Sequence, residues 1–317
     1  MFPFLDLKAQ FASIKDELMS SVSKTLESQQ FILGPEVEAF EKEIAAWNSS
    51  RVAVACASGS DALLLALMAL GIGPGDEVIT TPFTFVATVG SIAHRGATPV
   101  FVDIDSDTFN LDALKLESAI TSRTRAILPV HLFGCPADLD PILGFAEANS
   151  IAVVEDAAQA IGARYRNRRV GSIGTIGCFS FYPAKNLGCA GDGGLVTTND
   201  EELADRLRVL HTHGSRECYS YEVLGINSRL DALQAAILRV KLRHLDDWIE
   251  ARRRNAGTYA ALISELGLED RVRLTKVPDY AFHVYHQFTI RCSNRDELRA
   301  YLKAAGIPTG VYYPSPL

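Results

Sequence analysis

A lysine and an acid in this 317-residue sequence are placed to do chemistry on a bound small molecule. Lys185 lies between the apolar run 179–181 and a glycine-rich turn that ends at Gly194. This position predicts partial burial, which lowers the pKa of the amine and frees it to attack a carbonyl group. Asp156 follows the apolar run 151–154, where an acid either caps a helix or needs a positive partner such as a protonated pyridine nitrogen.

A possible anion site comes earlier in the chain. The apolar run 52–56 is followed by Ser58, Gly59, Ser60 and Asp61, a pattern typical of a strand, a tight turn and the start of a helix. Free backbone N–H groups at such a turn bind anions, and the hydroxyl of Ser60 adds a donor. The same residues are also those of an ordinary helix cap.

The strands and helices that must position these residues lie between residues 50 and 200. Short β-branched runs alternate there with short helical patterns, which predicts an α/β domain with a mostly parallel sheet. Predicted strands are 52–56, 77–80, 99–104, 126–131, 151–155, 177–181 and 194–198, and predicted helices are 61–70, 86–94, 111–119 and 141–149. Ligand sites of such sheets gather at the carboxyl ends of the strands.

A second region, in which helical patterns predominate, begins near residue 200. Helices are predicted at 201–211, 229–245, 246–264 and 294–305, and strands at 283–291 and 308–313. We therefore predict a large domain over residues 1–245 and a small α+β domain over residues 246–317.

Composition excludes several classes of protein. The net charge of −7 argues against general nucleic-acid binding, and no apolar run is long enough for a membrane. The N-terminus lacks the features of a signal peptide, so we expect a cytoplasmic protein. Neither His211 nor His213 has a partner at metal-ligand spacing, so no metal is predicted, and His131 is either structural or in contact with substrate. We expect reduced thiols at Cys56, Cys135, Cys178, Cys189, Cys218 and Cys292.

Six ordered motifs resemble the DegT/StrS sugar aminotransferases, which have the fold of type I pyridoxal-phosphate (PLP) enzymes. The motifs are S-G-S-D-A-L from Ser58, G-D-E-V-I from Gly75, E-D-A-A-Q from Glu155, F-S-F-x-x-x-K from Phe179, G-D-G-G from Gly191 and G-I-N-S-R-L-D from Gly225. The resemblance extends from Phe4 to Leu317. It implies a transaminase that uses PLP and acts on sugar nucleotides.

The resemblance also implies roles for individual residues. Lys185 would bind the cofactor covalently and carry a proton between substrate and cofactor carbons. Asp156 would pair with the pyridine nitrogen, Gln159 would bind the ring hydroxyl, and Phe85 would stack on the ring.

The phosphate of the cofactor would have its own set of residues. Gly59, Ser60 and Ser180 would bind it, and Asn227 would reach the phosphate of a neighbouring subunit, so the resemblance implies a homodimer with shared active sites.

Two features depart from the family pattern. Asp192 stands where many relatives have glutamate, which we expect to leave the turn intact. Relatives also continue for roughly fifty residues beyond Leu317, so we expect a shortened small domain.

The resemblance narrows further to 3-aminotransferases that act on UDP-2-acetamido-2-deoxy-3-oxo-glucuronate in bacterial O-antigen (lipopolysaccharide) synthesis, with glutamate as amino donor. Arg229 would pair with the carboxylate of this sugar, or would serve in a structural salt bridge, and Tyr312 and Tyr313 would also contact substrate. The alternative substrates are dTDP- or UDP-linked keto-6-deoxy sugars.

Two other functions compete with transamination. A PLP-dependent sugar dehydratase is disfavoured because such relatives carry histidine in place of Lys185. A non-catalytic PLP-binding regulator remains the alternative from another class, and it would bind cofactor without converting glutamate.

Overall fold

A seven-stranded sheet lies at the centre of the computed structural model, which describes residues 3–217 and 219–317. The strands are, in chain order, β1 Val52–Cys56, β2 Glu77–Thr80, β3 Thr98–Phe101, β4 Thr124–Ile127, β5 Ala152–Asp156, β6 Arg164–Tyr165, β7 Arg168–Arg169, β8 Ile176–Ser180, β9 Gly194–Thr198, β10 Ser215–Glu217, β11 Ser220–Tyr221, β12 Arg273–Leu274, β13 Ala281–Phe282 and β14 Ile290–Arg291. The central sheet has the order β1-β9-β8-β5-β4-β2-β3.

The directions of these strands bring several strand ends to one edge. Strands β3, β2, β4, β5 and β8 pair in parallel, whereas β9 runs antiparallel to both β8 and β1. Strand β1 therefore points the same way as β5 and β8. The residues that follow β1, β5 and β8 consequently meet at the carboxyl edge of the sheet, as expected for a ligand site in an α/β fold.

Helices cover both faces of the sheet. They are α1 Leu7–Ser13, α2 Lys15–Ser28, α3 Pro35–Asn48, α4 Gly59–Ala69, α5 Val86–His94, α6 Leu139–Ala148, α7 Glu201–Leu210, α8 Ala232–Leu242, α9 Leu245–Glu265 and α10 Arg295–Ala304, with 3-10 turns at Ala113–Ser118 and Leu132–Gly134. The structure confirms the predicted α/β class with a mostly parallel sheet.

Successive side chains of a strand point to opposite faces of the sheet, so the core is divided between the two faces. In β1, Ala53 and Ala55 pack with the cluster that contains Phe40 of α3. Val52 and Val54 pack instead with the cluster that contains Leu63 of α4. Since each face buries its own apolar set, the strand is fixed in register, and a slip by one residue would exchange the two sets.

The C-terminal region differs from its prediction. Segments 283–291 and 308–313 are not continuous strands, and within them only Ile290–Arg291 is a strand, paired with Arg273–Leu274. The backbone N–H of Val284 donates to the Gly134 carbonyl at 3.0 Å, so it satisfies a loop rather than a neighbouring strand. Strand β13 pairs with β6 of the N-terminal region, and helix α9 begins at Leu245. The boundary between residues 245 and 246 remains a prediction.

The described residues can be compared with the expectations about membrane helices, metal-binding groups and cysteines. No helix there is long and apolar enough to cross a membrane, and no group of three metal-binding side chains is found within residues 3–217 and 219–317. Five cysteines are free thiols. Cys218 lies outside the described residues.

Candidate active site

The predicted anion site is a helix N-terminus at the carboxyl end of β1. Ser58 caps helix α4 because its hydroxyl accepts from the Asp61 N–H at 3.1 Å. The N–H groups of Gly59 and Ser60 have no intrahelical acceptor at this position and are available to an anion. A Cβ at Gly59 would lie 2.6 Å from the Ser180 Cβ, so the close approach of α4 and β8 requires glycine. The structure thus brings Gly59, Ser60 and Ser180 together.

Asp156 ends β5 as a buried acid. Its carboxylate accepts from the Thr88 hydroxyl at 2.8 Å and from the Ala158 N–H at 3.1 Å. Burial raises the pKa of Asp156, and the hydrogen bond from Thr88 and the charge of Lys185 offset part of this rise. The carboxylate is thus buried without a cation bonded to it among the described residues. A ligand that carries a positive charge would stabilise its ionised form.

The preceding residue, Glu155, has a different environment. Its carboxylate accepts from the backbone of Gly171, Ile173 and Gly174 at 2.6–2.9 Å and lies 2.9 Å from His131 Nε2. His131 Nδ1 accepts from the Ala137 N–H, so the neutral ring donates to Glu155 through Nε2. Burial would raise the pKa of Glu155, but the bond from His131 and the backbone donors hold it below its usual range. The structural alternative for His131 is therefore supported.

Lys185 lies in the turn between β8 and β9. Its backbone N–H donates to the Tyr182 carbonyl at 2.8 Å, and the end residues Ser180 and Gly194 pair across the two strands. Burial lowers the pKa of Lys185 to about 8, although the negative charge of Asp156 acts in the opposite sense. About one-tenth of the amine is therefore uncharged at pH 7, far more than for an exposed lysine, and this form can act as a nucleophile.

Gln159 connects the end of β5 to the C-terminal region. Its Oε1 accepts from the Phe133 N–H at 2.7 Å, and its Nε2 donates to the Tyr313 hydroxyl at 3.0 Å. Burial raises the pKa of Tyr313 to about 12, so the hydroxyl remains protonated at neutral pH. The structure therefore brings Gln159 and Tyr313 into direct contact.

Aromatic side chains line this side of the site. Phe85, at the start of α5, is 55% exposed, and its ring centroid lies 6.5 Å from that of Tyr313. Tyr313 also contacts Phe83 edge to face at 6.0 Å. Tyr312 is partly exposed beside Tyr313. Phe85 immediately precedes helix α5, whose Thr88 binds Asp156, and its exposed ring is suited to stacking on a flat ring.

Asn227 and Arg229 flank Ser228, which forms hydrogen bonds with Ala57 and Asp61 at the predicted anion site of the same chain. The Ser228 hydroxyl donates to the Asp61 carboxylate at 2.7 Å and accepts from the Ala57 N–H at 3.1 Å. Asn227 itself is exposed, and Arg229 is half-buried. One chain therefore places these two residues at its surface, beside the first turn of α4.

Comparison with known proteins identifies the family. A sequence profile of the DegT/DnrJ/EryC1/StrS aminotransferase family matches residues 12–317. The chain belongs to this family.

Relatives of known name differ in their substrates. A "pleiotropic regulatory protein" of Geobacillus stearothermophilus is 52% identical, over 99% of this chain and 84% of that protein. A dTDP-3-amino-3,4,6-trideoxy-alpha-D-glucose transaminase of Streptomyces venezuelae is 50% identical over 99% and 82%. A UDP-2-acetamido-2-deoxy-3-oxo-D-glucuronate aminotransferase of Pseudomonas aeruginosa is 47% identical over 100% and 87%. The latter two relatives are named as sugar-nucleotide aminotransferases, and their sugars differ.

Solved structures agree with this assignment. The X-ray structure of S. venezuelae DesV superposes with a TM-score of 0.96 at 50% identity and covers 99% of this chain and 84% of that chain. NtdA from Bacillus subtilis, solved with the bound cofactor PMP, has a TM-score of 0.90 at 34% identity over 96% and 70%. This DegT-family aminotransferase is accordingly a PLP-dependent enzyme of fold type I.

The site of this DegT-family enzyme fits PLP on three structural observations. The buried Asp156 has no cation bonded to it in the described part of the chain, and a protonated pyridine ring would supply one. The first turn of α4 presents the N–H groups of Gly59 and Ser60 to a phosphate, close to Ser180. Lys185 supplies an amine of lowered pKa for an aldehyde. When bound, PLP withdraws electrons from the substrate carbon that loses its proton.

Sequence reasoning missed two residues of this DegT-family site. Thr88, which binds Asp156, comes from helix α5, whose buried residues are Thr88, Ser91 and Ile92, so no apolar pattern sets Thr88 apart. His286 belongs to the segment that packs on Phe133 and Gly134, and its Nδ1 is buried without a hydrogen-bond partner in the described chain. No periodic pattern marks His286 in the sequence.

Proposed function

We propose that this aminotransferase moves the amino group of glutamate onto UDP-2-acetamido-2-deoxy-3-oxo-glucuronate, as a step of O-antigen and lipopolysaccharide synthesis. The reaction type rests on one arrangement, the amine of Lys185 beside the buried carboxylate of Asp156. The choice of sugar is supported by the 47% identical relative from P. aeruginosa and by Arg229.

The proposed roles of the residues follow from their positions. Asp156 keeps the pyridine nitrogen of PLP protonated, since a positive charge beside this buried carboxylate stabilises its ionised form. Gln159, whose amide lies near Tyr313, donates to the ring hydroxyl, and Phe85 covers one face of the ring. Gly59, Ser60 and Ser180 hold the phosphate.

Lys185 has two tasks in this proposal. Its Nζ would hold PLP through the cofactor aldehyde, with loss of one water. When that bond is exchanged for one to the amino donor, the freed Nζ would take the proton from the amino-bearing carbon of glutamate, and it would return a proton to the sugar carbon when the keto sugar is bound. Burial supports both tasks because it lowers the pKa of Lys185 to about 8, close to the working pH.

The functional unit in this proposal is a homodimer with shared sites. The segment before Asn227 exposes four large apolar side chains, and Leu224 and Tyr219 are 92% and 86% exposed. Such a patch costs free energy in water and indicates a covering surface. A two-fold interface would cover the patch on each subunit and carry Asn227 to the phosphate of the partner.

Arg229 supports a substrate with an acid group. Among the described residues it has no carboxylate within ion-pair distance, so its guanidinium is available. A planar guanidinium pairs with the carboxylate of a uronate through two hydrogen bonds, which lysine reproduces poorly. The competing substrates are dTDP- or UDP-linked keto-6-deoxy sugars, which carry a methyl group in place of the acid. The 50% identical relative from S. venezuelae supports this alternative.

The substrate is tested by direct competition. We expect the purified enzyme to turn over the UDP-linked 3-keto-uronate faster than a dTDP-linked 3-keto-6-deoxyhexose. Arg229→Lys should lower kcat/KM for the uronate about tenfold to a hundredfold and leave the deoxy sugar unaffected. A preference for the deoxy sugar, or an equal loss for both sugars, contradicts the proposed substrate and leaves transamination standing.

The shared site is tested by mixing inactive chains. Lys185→Ala and Asn227→Asp variants should each be inactive or weakly active alone. After subunits are mixed, a heterodimer contains one intact site, and activity should rise toward a quarter of wild type for random pairing, since half of the dimers are then heterodimers with one site of two. An active monomer, or no recovery after verified mixing, contradicts the shared site.

A regulatory role is the second candidate, favoured by the 52% identical Geobacillus relative, which is named a pleiotropic regulatory protein. Glutamate added to the PLP-loaded protein should abolish the visible cofactor absorbance and release one 2-oxoglutarate per site. A protein that binds PLP and releases none would instead support regulation without turnover.

A further inference from the structure

A chain of two hydroxyl groups leads to the carboxylate of Asp156. The Thr88 hydroxyl donates to Asp156 Oδ2 at 2.8 Å, and the hydroxyl oxygens of Thr84 and Thr88 are also 2.8 Å apart. All three side chains are buried, so the chain is shielded from water. Hydrogen bonds in such an interior are electrostatically stronger than those at a surface, and consecutive bonds polarise one another.

The direction of this chain follows from the number of its hydrogens. A threonine hydroxyl has one hydrogen, and Thr88 gives its hydrogen to Asp156. The Thr88 oxygen is therefore the acceptor toward Thr84, and the Thr84 hydroxyl is the donor. In the reverse direction, with a protonated Asp156, the Thr84 hydrogen would need another acceptor, and none is found within residues 3–217 and 219–317. The chain thus favours the ionised form of Asp156.

Two parts of the fold hold the Asp156 carboxylate, one at each oxygen. Oδ2 accepts from Thr88 of α5, and Oδ1 accepts from the Ala158 N–H, just after β5, at 3.1 Å. Burial raises the pKa of Asp156, and the hydrogen bond from Thr88 is the largest of the effects that lower it again. A carboxylate oxygen has two lone pairs, so each oxygen can still accept from a ligand.

The same two threonines fix the turn that carries Phe85. Thr84 and Thr88 lie on either side of Phe85, which is the N-cap residue of α5 and makes no side-chain capping bond. The hydrogen bond between the two hydroxyls connects the residue before Phe85 to the first turn of the helix. The residue that would cover the cofactor ring is therefore joined through hydrogen bonds to the acid that would bind its nitrogen.

Other titratable groups also face Asp156. They are Lys185 after β8, His131 after β4, Cys178 on β8 and Tyr313 near the C-terminus. Cys178 and Tyr313 remain protonated at neutral pH, because burial raises the pKa of each and the charge of Asp156 adds to the rise. Glu155, the neighbour on β5, points to the opposite face of the sheet.

We propose that Thr88, supported by Thr84, is a positioning residue that holds the Asp156 carboxylate in place and in its ionised form for the pyridine nitrogen of the cofactor. This inference rests on the proposed role of Asp156. Without the donor, the buried carboxylate takes up a proton more readily, and a neutral carboxyl group no longer favours a protonated ring nitrogen.

The test measures the protonation of Asp156 in the full-length, cofactor-free protein. NMR follows aspartates labelled at the carboxyl carbon from about pH 4 to about pH 9, and the signal that is missing from Asp156→Asn belongs to Asp156. A hydrogen bond to the ionised form lowers the midpoint of the titration, so Thr88→Val should raise the midpoint by about one pH unit. Thr84→Val removes only the more distant hydroxyl and should raise it by about 0.4 unit.

Thr88→Ser is the matched control, because it keeps the hydroxyl and loses only a methyl group. We expect it to titrate within about 0.2 unit of wild type. If Thr88→Val does not fold, Thr88→Ala replaces it and is compared with Thr88→Ser, since the two variants differ by the hydroxyl alone. Equal midpoints for wild type and Thr88→Val, or for the Ser and Ala variants, overturn the inference. An unchanged midpoint in Thr84→Val overturns the contribution of Thr84.

A second measurement separates this inference from the proposed function. PLP with a labelled ring nitrogen is bound to Asp156→Asn, and the NMR shift of that nitrogen shows whether it is protonated. A ring nitrogen that stays protonated as in wild type would overturn the proposed role of Asp156 and the inference with it. An unprotonated ring nitrogen, together with equal midpoints for wild type and Thr88→Val, would overturn the role of Thr88 alone.

Discussion

Glu155 and Asp156 are neighbours on one strand, yet they belong to two regions with opposite hydrogen-bonding character. Every acceptor position of Glu155 is used by donors that the fold supplies. We call this region the Glu155 cluster, which consists of His131, Glu155, Gly171, Ile173 and Gly174. We call the second region the Lys185 cluster, which consists of Asp156, Lys185, Asn186, His286 and Gln287. Within the described part of the chain, Asn186 Oδ1, His286 Nδ1 and Gln287 Oε1 are buried without hydrogen-bond partners, and the carboxylate of Asp156 is buried without a bonded cation.

The difference separates buried polar groups that stabilise the fold from buried polar groups that are available to a ligand. A buried carboxylate with four donors, as in Glu155, stabilises the fold and has no capacity for a ligand. The buried groups of the Lys185 cluster cost stability until a ligand provides their partners. The pKa shifts express the same contrast, since that of Glu155 is lowered and that of Asp156 is raised, although both acids are buried.

The largest effect is expected at Lys185. Lys185→Ala should remove covalent attachment of PLP and lower transaminase activity at least about a thousandfold, because no other amine is placed to replace it. Lys303→Ala, at an exposed position of α10, is the control and should leave both unchanged. Absorbance of bound cofactor and steady-state turnover measure the two effects. Borohydride-stable label in Lys185→Ala would contradict this prediction.

The next effect concerns the Glu155 cluster and the stability of the fold. Glu155→Gln should lower the free energy of unfolding by about 3 kcal/mol, because the amide nitrogen would face backbone donors. Since the folded pKa of Glu155 is lowered, its stabilisation is present above the unfolded value of 4.5 and is lost as pH falls. Urea unfolding at pH 7 and below pH 5 measures both. A loss under about 1 kcal/mol at pH 7 would contradict the prediction.

Asp156→Asn should give the reverse pattern. Without cofactor its free energy of unfolding at pH 7 should equal that of wild type or exceed it by about 1 kcal/mol, while turnover falls at least about a hundredfold. The folded pKa of Asp156 is raised, so stability from this group is complete below the unfolded value of 3.8 and is lost as pH rises through the folded value. A destabilised variant with normal turnover would show that Asp156 belongs with the Glu155 cluster.

A smaller effect is expected on the pH dependence of cofactor capture. The amine of Lys185 reacts only when unprotonated, and its pKa is lowered to about 8. The rate at which cofactor-free protein attaches PLP should therefore rise with pH and level off above about pH 8, with a tenfold change per unit well below it. Stopped-flow absorbance provides the rates. A midpoint close to 10 would be the behaviour of an exposed lysine and would contradict the burial of this amine.

The smallest effect compares two helical glycines. Gly59→Ala should weaken PLP binding about tenfold, since its Cβ would lie 2.6 Å from the Ser180 Cβ. Gly257→Ala in α9, where a Cβ meets no atom within 4 Å, should instead raise the free energy of unfolding by up to about 1 kcal/mol. Equilibrium titration with PLP and urea unfolding provide the two values. Equal PLP affinity of Gly59→Ala and wild type would contradict the phosphate site.

The sequence alone predicts the strands of the sheet well. The bounds 52–56, 77–80 and 194–198 agree with the structure, because buried apolar runs between turns have few alternatives in an α/β fold. The predicted strands 283–291 and 308–313 were wrong over most of their length. Backbone groups of residues 283–291 form hydrogen bonds with loops of the predicted large domain. A local sequence pattern cannot indicate partners that are so distant in the chain.

The sequence predicted the site residues that have both a reactive side chain and a recognisable motif around them. Lys185 and Asp156 combine a reactive group with a position at a strand end, and the structure brings them close enough for their charges to interact. Thr88 and His286 were not predictable in this way. Thr88 is 68 residues from Asp156 in the chain, and no sequence pattern indicates that His286 Nδ1 is buried without a hydrogen-bond partner in the described part of the chain.

The antiparallel strand β9 has a consequence for the order of events during synthesis. In the sheet, β1 pairs with β9 alone, and β9 is made long after β1 leaves the ribosome. The turn after β1 cannot meet Ser180 until β8 and β9 have also emerged and paired. Such distant pairings form slowly. The nascent chain therefore carries β1 as an unpaired apolar segment that depends on protection from aggregation until residue 198 is available.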